Sequence, residues 1–322
     1  MARRSYLEAI RDAIFEEMAR DPNVYVIGGD QRHSVYGTTT GLVEAYGEER
    51  VLNTPIAEAG TLGIAIGSSM VGMRPIVDLG IASFIYPAMD QLCSMAAKTR
   101  YLYGGQASVP IVIRASMFYG NNTGAQHSDR PYSMFMTMPG LKIMIPSTAY
   151  DVKGLLKTAI RDEDPVMSFE DANVWSNKSD IPDEEYLIPF GVADIKRRGM
   201  HCTVVGIGKS VHLALEAASE LEKDGISLEV IDPRTLAPLD TTTILESLAK
   251  TGRLVIADPG HDVCSAAAHI AAVVSDQGFW DLRAPIVRVT APQTHVPFSP
   301  ALEPLMYPTR SKIVTAVRRT LN

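Results

Sequence analysis

The sequence predicts an α/β protein with two domains, and three observations support this. Short apolar runs alternate with helical patterns along the chain, as is typical of parallel strands covered by helices. A polar stretch interrupts the alternation after Asp171, and the alternation then restarts. The 322 residues, 46% hydrophobic, suffice for two cores. We expect a doubly wound domain at 1–175, a linker at 176–190 and a smaller α/β domain at 191–322.

The first helix is predicted by its N-terminal cap. Ser5 and Glu8 form a capping box, and apolar residues then recur at helical spacing until Asp21 and Pro22. A buried strand at 24–27 follows and ends at two glycines. Further along the first domain we predict strands at 76–79, 110–114, 142–145 and 166–169, and helices at 59–71, 88–101 and 149–161.

The second domain repeats this alternation on a smaller scale. Apolar runs predict strands at 203–207, 228–231, 254–257 and 286–289. Helical patterns lie at 210–223 and 241–249, after residue 257 and at the C-terminus. The order again favours a mainly parallel sheet.

Composition excludes several function classes. With 30 Lys and Arg against 37 Asp and Glu, the net charge of -7 gives no electrostatic reason to expect nucleic acid binding. The apolar runs are shorter than the roughly 20 residues that a membrane-spanning helix needs, and the N-terminus lacks the apolar segment of a signal peptide. Three widely spaced cysteines, Cys93, Cys202 and Cys264, predict buried thiols. We therefore expect a cytoplasmic protein.

The segment around Pro55 carries the most information about function. Glu58 lies at the entry of a predicted helix, and Gly60, Gly63 and Gly67 recur along one face of that helix. Each glycine costs about 1 kcal/mol of helix stability relative to alanine, so the bare face suggests close approach of another backbone. That backbone belongs either to another subunit or to a strand of the same domain. In the second case Glu58 is only an exposed first-turn carboxylate, which the helix dipole favours.

Several short motifs follow one another in a fixed order. They are Thr54-Pro55-Ile56-Ala57-Glu58, Phe84 before Pro87-Ala88-Met89-Asp90-Gln91, Ala125-Gln126-His127-Ser128, Pro139-Gly140-Leu141-Lys142, Asp232-Pro233-Arg234-Thr235-Leu236 and Arg288-Val289-Thr290. Together they resemble the beta subunit of thiamine-diphosphate-dependent 2-oxo acid dehydrogenases (pyruvate, branched-chain and acetoin types), in the transketolase-like superfamily. The resemblance runs from about residue 5 to the C-terminus.

The resemblance implies roles for four residues. Glu58 matches the catalytic carboxylate that binds the aminopyrimidine ring of thiamine diphosphate at N1′ and so assists proton removal from the thiazolium carbon. Phe84 matches the aromatic residue that stacks on this ring, and Ile56 lies in the same cofactor-binding motif. His127 matches the catalytic histidine at the reacting end, where it either orients the substrate carboxylate or transfers protons.

A potassium site is also implied by the resemblance. In the family, backbone carbonyls hold the ion, and the matching positions here are Ile111, Ala159, Ile160, Asp162 and Asp164. Hard cations accept such oxygen ligands. The alternative is a helix C-terminus whose carbonyls face water.

The magnesium-diphosphate site of the cofactor has no counterpart in this sequence. In the superfamily it is a Gly-Asp-Gly segment followed by paired Asn, whereas here Gly28-Gly29-Asp30 has another order and no such ligands follow. An alpha subunit is therefore expected to hold Mg2+, in an α2β2 heterotetramer without which the chain is inactive. A lipoyl acyltransferase core is a further possible partner.

The leading hypothesis is decarboxylation of a 2-oxo acid with transfer of the acyl group to a lipoyl carrier. The alternative is the C-terminal half of a split transketolase, which moves a ketol unit between sugars, because fold and cofactor are shared. A third hypothesis is a non-catalytic scaffold subunit, against which Glu58, Phe84 and His127 argue. After the histidine, Asp129 and Arg130 depart from the family pattern. They either recognise a polar acyl group or form a surface ion pair.

Overall fold

The structure is a computed structural model that describes residues 2–322. It contains two compact units. Unit 1 consists of the chain up to Phe118 together with residues 134–190, and unit 2 consists of residues 119–133 and 191–322. The loop 119–133 thus belongs with unit 2, although the chain on both sides of it belongs with unit 1. The first domain predicted from the sequence, 1–175, includes this loop, whereas the structure groups the loop with unit 2.

Up to residue 190 the strands and helices alternate. The strands are β1 (Ala2–Ser5), β2 (Val24–Gly28), β3 (Val51–Asn53), β4 (Arg74–Ile81), β5 (Val112–Met117), β6 (Lys142–Met144), β7 (Val166–Asp171) and β8 (Lys178–Ile181). The helices are α1 (Tyr6–Arg20), α2 (Leu42–Tyr46), α3 (Glu58–Ser69), α4 (Thr99–Leu102), α5 (Tyr132–Phe135) and α6 (Ala149–Arg161). The alternation predicted from the apolar runs is confirmed.

From residue 191 onward the same alternation continues. The strands are β9 (Asp194–Arg197), β10 (Cys202–Gly206), β11 (Leu228–Asp232), β12 (Thr235–Ala237), β13 (Leu254–His261) and β14 (Val287–Ala291). The helices are α7 (Ser210–Leu221), α8 (Thr241–Thr251), α9 (Ala266–Gln277) and α10 (Arg310–Leu321).

The sheet of unit 1 runs β6-β7-β5-β4-β2-β3 and its neighbouring strands are parallel. Its register places Gly28, the last residue of β2, beside Asn53 of β3 and Asp78 of β4. Helices α1 and α6 contribute to one hydrophobic core with this sheet. Strand β8 pairs with β1 in an antiparallel ribbon, so part of the expected linker 176–190 is a strand of unit 1.

The sheet of unit 2 runs β14-β13-β10-β11-β9. Its first four strands are parallel, whereas β9 is antiparallel to β11. Helices α7 and α10 pack into the core of this unit. One parallel and one mainly parallel sheet, each packed against helices, confirm the predicted α/β fold class.

Some local predictions are confirmed, one of them with a change in helix type. The Ser5–Glu8 capping box is present, with Ser5 N donating to Glu8 Oε2 at 2.7 Å. The segment 88–101 is helical as expected but irregular, because a 3-10 turn at Ala82–Ala88 leads into a π-helix at Gln91–Ala96 and then into the short α4. Pro87 lies inside the 3-10 turn and provides no N–H for a regular helix.

The expected burial of all three cysteines is wrong, because Cys264 is exposed and Cys93 is only half-buried, whereas Cys202 is buried. The backbone of Cys264 has a positive φ of 51°, which places it in the turn that precedes α9 rather than in a buried strand. Over residues 2–322, every helix falls short of the length and hydrophobicity that a bilayer crossing requires.

Candidate active site

A pocket lies where β2, β3 and β4 of unit 1 end. It contains about 790 Å³ of empty space, part of it open to solvent. The carboxyl ends of neighbouring parallel strands are the usual ligand-binding edge of such sheets. Its walls are Gly28–Gln31, Val35, Tyr36, Thr38, Thr39, Thr54–Glu58, Thr61, Asp78–Gly80 and Phe84. Three of the predicted site residues, Ile56, Glu58 and Phe84, are thus brought together.

Gly28 lies in the wall of this pocket, where β2 and β4 approach each other closely. A Cβ atom at this position would lie 2.2 Å from the carbonyl oxygen of Asp78, so only glycine permits the observed approach of β2 and β4. The carbonyl of Gly28 accepts a hydrogen bond from the backbone N–H of Thr54 at 2.9 Å. This bond ties the turn that leads to Glu58 to the end of β2.

Glu58 is the first residue of α3, as the sequence predicts. Its carboxylate therefore lies at the positive end of the helix dipole, which stabilises negative charge. The side chain is half-buried, whereas Ile56 is 91% exposed in this chain. Phe84 is half-buried and reaches the pocket from the 3-10 turn after β4.

Buried charges lie beneath the pocket, and sequence reasoning missed them. Arg114 Nη1 donates to Asp78 Oδ2, while Nε and Nη2 donate to the two oxygens of Glu170, each at 2.8 Å. Burial alone would lower the pKa of Arg114, but Glu170 and Asp78 raise it above its usual value. A charged residue in each of three apolar strands, β4, β5 and β7, was the available signal. This triad fixes Asp78 in the pocket wall.

Gln31 contributes a further polar atom to the pocket wall. Its Nε2 donates to the carbonyl of Gly29 at 2.9 Å, and the side chain is only 6% exposed. Its Oε1 is buried and has no hydrogen-bond partner among residues 2–322. A buried acceptor of this kind is unfavourable until a donor satisfies it.

The glycine face of α3 is bare. Gly60, Gly63 and Gly67 are all exposed. A methyl group placed on Gly63 or Gly67 would meet no atom within 4 Å outside the neighbouring turns, as far as the described chain extends. The close contact with a strand of the same domain, considered above as an alternative, is therefore not present.

His127 lies on the loop 119–133 and so belongs to unit 2. Its side chain is half-buried, and its backbone N–H points to the carbonyl of Gly124 at 3.4 Å. Thr123 and Ser128 join across the loop through their hydroxyl groups at 2.8 Å. Arg130 is only 7% exposed, so its interpretation as part of a surface ion pair is wrong.

The proposed potassium ligands lie around the C-terminus of α6, but their oxygens already have partners. The carbonyls of Ile111 and Ala159 accept backbone N–H groups at 3.0 and 3.2 Å. The guanidinium of Arg74 donates to the carbonyls of Ile160, at 3.1 Å, and Asp162, at 3.3 Å.

Two further cations lie at the same turn. Lys142 Nζ binds both carboxylate oxygens of Asp162, at 2.7 and 2.6 Å, and Arg100 pairs with the carboxylate of Asp164. Within residues 2–322 no three His, Cys, Asp or Glu side chains cluster in a way that suits a metal ion.

Comparison with known proteins assigns both units to a family. Residues 3–172 match the model of the transketolase pyrimidine binding domain, and residues 191–313 match that of the transketolase C-terminal domain. The chain is 46% identical to the acetoin:2,6-dichlorophenolindophenol oxidoreductase subunit beta of Bacillus subtilis (strain 168), over 98% of this chain and 97% of that protein. It is 43% identical to the 2-oxoisovalerate dehydrogenase subunit beta of the same organism, over 99% and 98%.

The pyruvate dehydrogenase E1 component subunit beta of Bacillus subtilis is 40% identical, over 100% of this chain and 99% of that protein. The chain belongs to the transketolase-like family of 2-oxo acid dehydrogenase beta subunits. The predicted resemblance is therefore confirmed over the whole length of this beta subunit.

A solved structure described as a split gene transketolase, inactive beta4 tetramer, has the same fold. It superimposes with a TM-score of 0.81 over 98% of each chain, at 24% sequence identity. At that identity the likeness concerns the fold and gives the split transketolase hypothesis no further support. The higher identities to dehydrogenase beta subunits favour the leading hypothesis instead.

Proposed function

We propose that this beta subunit, together with an alpha partner, decarboxylates a 2-oxo acid by means of thiamine diphosphate. The observation that carries the proposal is the single pocket into which the fold brings Glu58, Phe84 and Ile56. Ile56 and Glu58 belong to one sequence motif and Phe84 to the next, and the fold brings all three to the edge of one parallel sheet. The confirmed family supports the same cofactor.

The pocket fits the aminopyrimidine half of this cofactor. An aminopyrimidine carries N–H donors, and the buried, unpartnered Oε1 of Gln31 is an acceptor in the pocket wall. Glu58 provides a carboxylate for a protonated ring nitrogen, and Phe84 provides an aromatic ring for stacking. Donor, acceptor and apolar surfaces thus match the chemistry of the ring.

When bound, thiamine diphosphate supplies a carbon nucleophile that attacks the oxo carbon and accepts the electron pair left by carbon dioxide. Glu58 holds a proton at the ring nitrogen and releases it as the reaction demands. The helix dipole of α3 and the half-buried setting keep its carboxylate in place. The Asp78–Arg114–Glu170 triad holds the pocket wall beneath it.

We further propose that the alpha partner supplies the diphosphate and Mg2+ site in an α2β2 assembly, with the bare face of α3 at an interface. Gly63→Leu tests this, because the new side chain has open space within the chain and would obstruct only a partner. We expect sedimentation to show association with the alpha partner that is about 10 to 100 times weaker, which corresponds to the usual cost of overpacking. Folding of the variant should be unchanged. Ser219→Leu, at an exposed position of α7, is the control. Unchanged assembly of the Gly63 variant would contradict the interface.

His127 is proposed to act at the reacting end, either on the substrate carboxylate or as a proton donor and acceptor. The acyl group would then pass to a lipoyl carrier, where a thioester forms as the lipoyl disulfide is reduced. Steady-state kinetics of His127→Ala and His127→Asn distinguish these roles. Loss of substrate affinity indicates binding of the carboxylate, whereas loss of turnover at saturation indicates proton transfer.

A potassium ion is proposed at the carbonyls of Ile111, Ala159, Ile160, Asp162 and Asp164 as a structural ion. The carbonyls of Ile111, Ala159, Ile160 and Asp162 each have a second lone pair beyond the partner described above. Thermal unfolding in potassium, sodium and tetramethylammonium chloride at equal ionic strength tests this. We expect the highest unfolding temperature in potassium chloride. Equal unfolding temperatures in the three salts would contradict the proposed ion.

The proposed reaction is tested by mixing this subunit with its alpha partner, thiamine diphosphate and Mg2+. Turnover is followed with dichlorophenolindophenol for pyruvate, for branched 2-oxo acids and for acetoin, because the relatives carry these three specificities in their names. We expect reduction of the dye with pyruvate or with a branched 2-oxo acid. Reduction with acetoin alone, which has no carboxylate to lose, would contradict the proposed decarboxylation. Ketol exchange between sugar phosphates without any decarboxylation would favour the split transketolase.

A further inference from the structure

The loop that carries His127 has a backbone that needs support. Gly120, Asn122 and Gly124 all have positive φ values, of 79°, 56° and 69°. Positive φ is unfavourable for a residue with a side chain such as Asn122. Glycine adopts positive φ without strain, so Asn122 is the residue of this loop whose backbone the surrounding structure has to support.

Glu303 holds the first half of this loop. Its side chain is 1% exposed, and Oε1 accepts the backbone N–H of Gly120 at 2.7 Å while Oε2 accepts that of Asn122 at 2.5 Å. The hydroxyl of Tyr307 donates to Oε1 at 3.1 Å. Bonds to a buried carboxylate are stronger than neutral ones, so one side chain fixes two of the three unusual residues.

Arg130 holds the second half. Its guanidinium carbon lies 5.5 Å from the ring centre of Tyr119 and 5.1 Å from that of Tyr307, which is within the range of cation–π attraction. Nε donates to the carbonyl of Pro259 at 2.8 Å, and Nη1 donates to the carbonyl of Ser128. The residue just after His127 is therefore tied to the end of β13.

Tyr307 connects the two halves, because its hydroxyl contacts Glu303 and its ring faces Arg130. Both anchoring side chains are buried and bind backbone groups of the loop, and Arg130 also faces the ring of Tyr119. The carboxylate of Glu303 is engaged by two backbone N–H groups and is therefore not suited to act on a substrate directly. Along the chain, His127 lies between the two parts of the loop that these side chains hold.

We infer that Glu303 is a positioning residue that, with Arg130 and Tyr307, orients His127 for the reaction. The inference rests on the role proposed above for His127. It assigns part of the catalytic competence of this beta subunit to a side chain distant in the sequence, since Glu303 lies 183 positions after Gly120, the first loop residue that it binds.

Glu303→Gln is the first test, in the complex with the alpha partner. An amide places N–H hydrogens where a carboxylate oxygen accepts, so at least one backbone bond is lost. We expect hydrogen exchange of peptides covering 119–133 to become about tenfold faster or more. Peptides covering 54–62 serve as an internal reference. Glu220→Gln, which removes an exposed ion pair with Arg310 at 3.0 Å, is the matched control.

A double-mutant cycle separates positioning from a general structural role. We expect Glu303→Gln to lower turnover about tenfold in the wild-type background and less than about twofold in a His127→Ala background. Once the histidine is absent, nothing remains for the carboxylate to position. A purely structural effect would lower turnover equally in both backgrounds. If Glu303→Gln folds poorly, Tyr307→Phe removes only the hydroxyl bond and is expected to give smaller changes of the same kind.

The outcomes distinguish the inference from the proposed function. Unchanged exchange of the loop in Glu303→Gln, or equal losses of turnover in both backgrounds, would overturn the positioning role while leaving the reaction intact. Full turnover of His127→Ala would instead overturn the role proposed for His127, and the positioning role with it. Faster exchange together with the non-additive loss of turnover supports the inference.

Discussion

The pocket in unit 1 and the loop 119–133 in unit 2 are shaped in different ways. The pocket is formed by backbone at the ends of parallel strands, where Gly28 lets β2 and β4 approach closely. The loop has no regular structure over most of its length and is held by the buried side chains of Glu303 and Arg130. The comparison teaches that a pocket can follow from the topology of a sheet, whereas the shape of a loop can depend on side chains that are distant in the sequence.

The largest effect is expected on the pocket side. Glu58→Ala should reduce turnover of the assembled enzyme by about a thousandfold or more, equivalent to about 4 kcal/mol at 1.36 kcal/mol per tenfold. The physical reason is loss of the only carboxylate proposed to hold a proton at the cofactor ring. Glu44→Ala, which removes an exposed first-turn glutamate of α2, is the control. Equal turnover of the two variants would favour the non-catalytic scaffold.

Arg114→Met tests how far the pocket depends on buried charge. Removing the guanidinium leaves the carboxylates of Asp78 and Glu170 buried without their partner, which is expected to lower the free energy of unfolding by about 3–5 kcal/mol. Urea denaturation measures this. Arg253→Met removes an arginine that donates to a carbonyl, Thr320 O at 2.8 Å, and should have a smaller effect. A loss below about 1 kcal/mol in Arg114→Met would show that topology alone maintains the pocket.

Tyr132→Phe tests how strongly the hydroxyl group of Tyr132 anchors the C-terminal end of the loop 119–133. The buried hydroxyl of Tyr132 donates to Asp258, and its loss should lower the free energy of unfolding by about 1.5–3 kcal/mol, as for a bond to a charged group. Tyr46→Phe, whose hydroxyl donates to the carbonyl of Phe15 at 2.8 Å, should lose about 0.5–1.5 kcal/mol. Equal losses would mean that the charge of Asp258 adds nothing to the anchoring.

The same variant has an expected pH dependence. Burial raises the pKa of Asp258, and the hydroxyl of Tyr132 opposes that rise. A raised carboxyl pKa means that the folded state binds the proton more tightly, so stability falls as pH increases from the ordinary value to the raised one. In Tyr132→Phe this fall should extend to higher pH. Denaturation midpoints of the wild type and of Tyr132→Phe are measured across the pH range. If stability falls over the same pH range in both proteins, the bond does not act on Asp258.

The smallest effect is expected at the capping box of α1. The pKa of Glu8 is lowered, chiefly by the backbone N–H of Ser5, so its contribution is present above the ordinary carboxyl value and is lost as pH falls through the lowered one. Solvent screening limits the difference between the wild type and Glu8→Gln to about 0.5 kcal/mol or less at pH 7. Urea titrations at pH 7 and pH 4 should show the difference decrease. A larger stability difference between the wild type and Glu8→Gln at pH 4 than at pH 7 would contradict the expected direction of the pH dependence.

Sequence patterns predicted the pocket better than the loop. Apolar runs and the capping box are local signals, and they located α1, β2 and the start of α3 at Glu58. The loop 119–133 is bonded to Glu303, which is distant in the sequence, and no periodicity gives a signal for that contact. Likewise Arg114 is visible as a charge within a strand, but its partners follow only from the strand order. Long-range pairing of polar side chains is what the sequence alone does not specify.

The central claim is that Glu58 contacts the cofactor in a site completed by an alpha subunit. A crystal structure of the assembled complex with thiamine diphosphate tests it most directly. The account predicts a carboxylate oxygen of Glu58 at about 2.6–3.2 Å from a ring nitrogen of the aminopyrimidine. A bound cofactor with the Glu58 side chain surrounded by bulk water would contradict it.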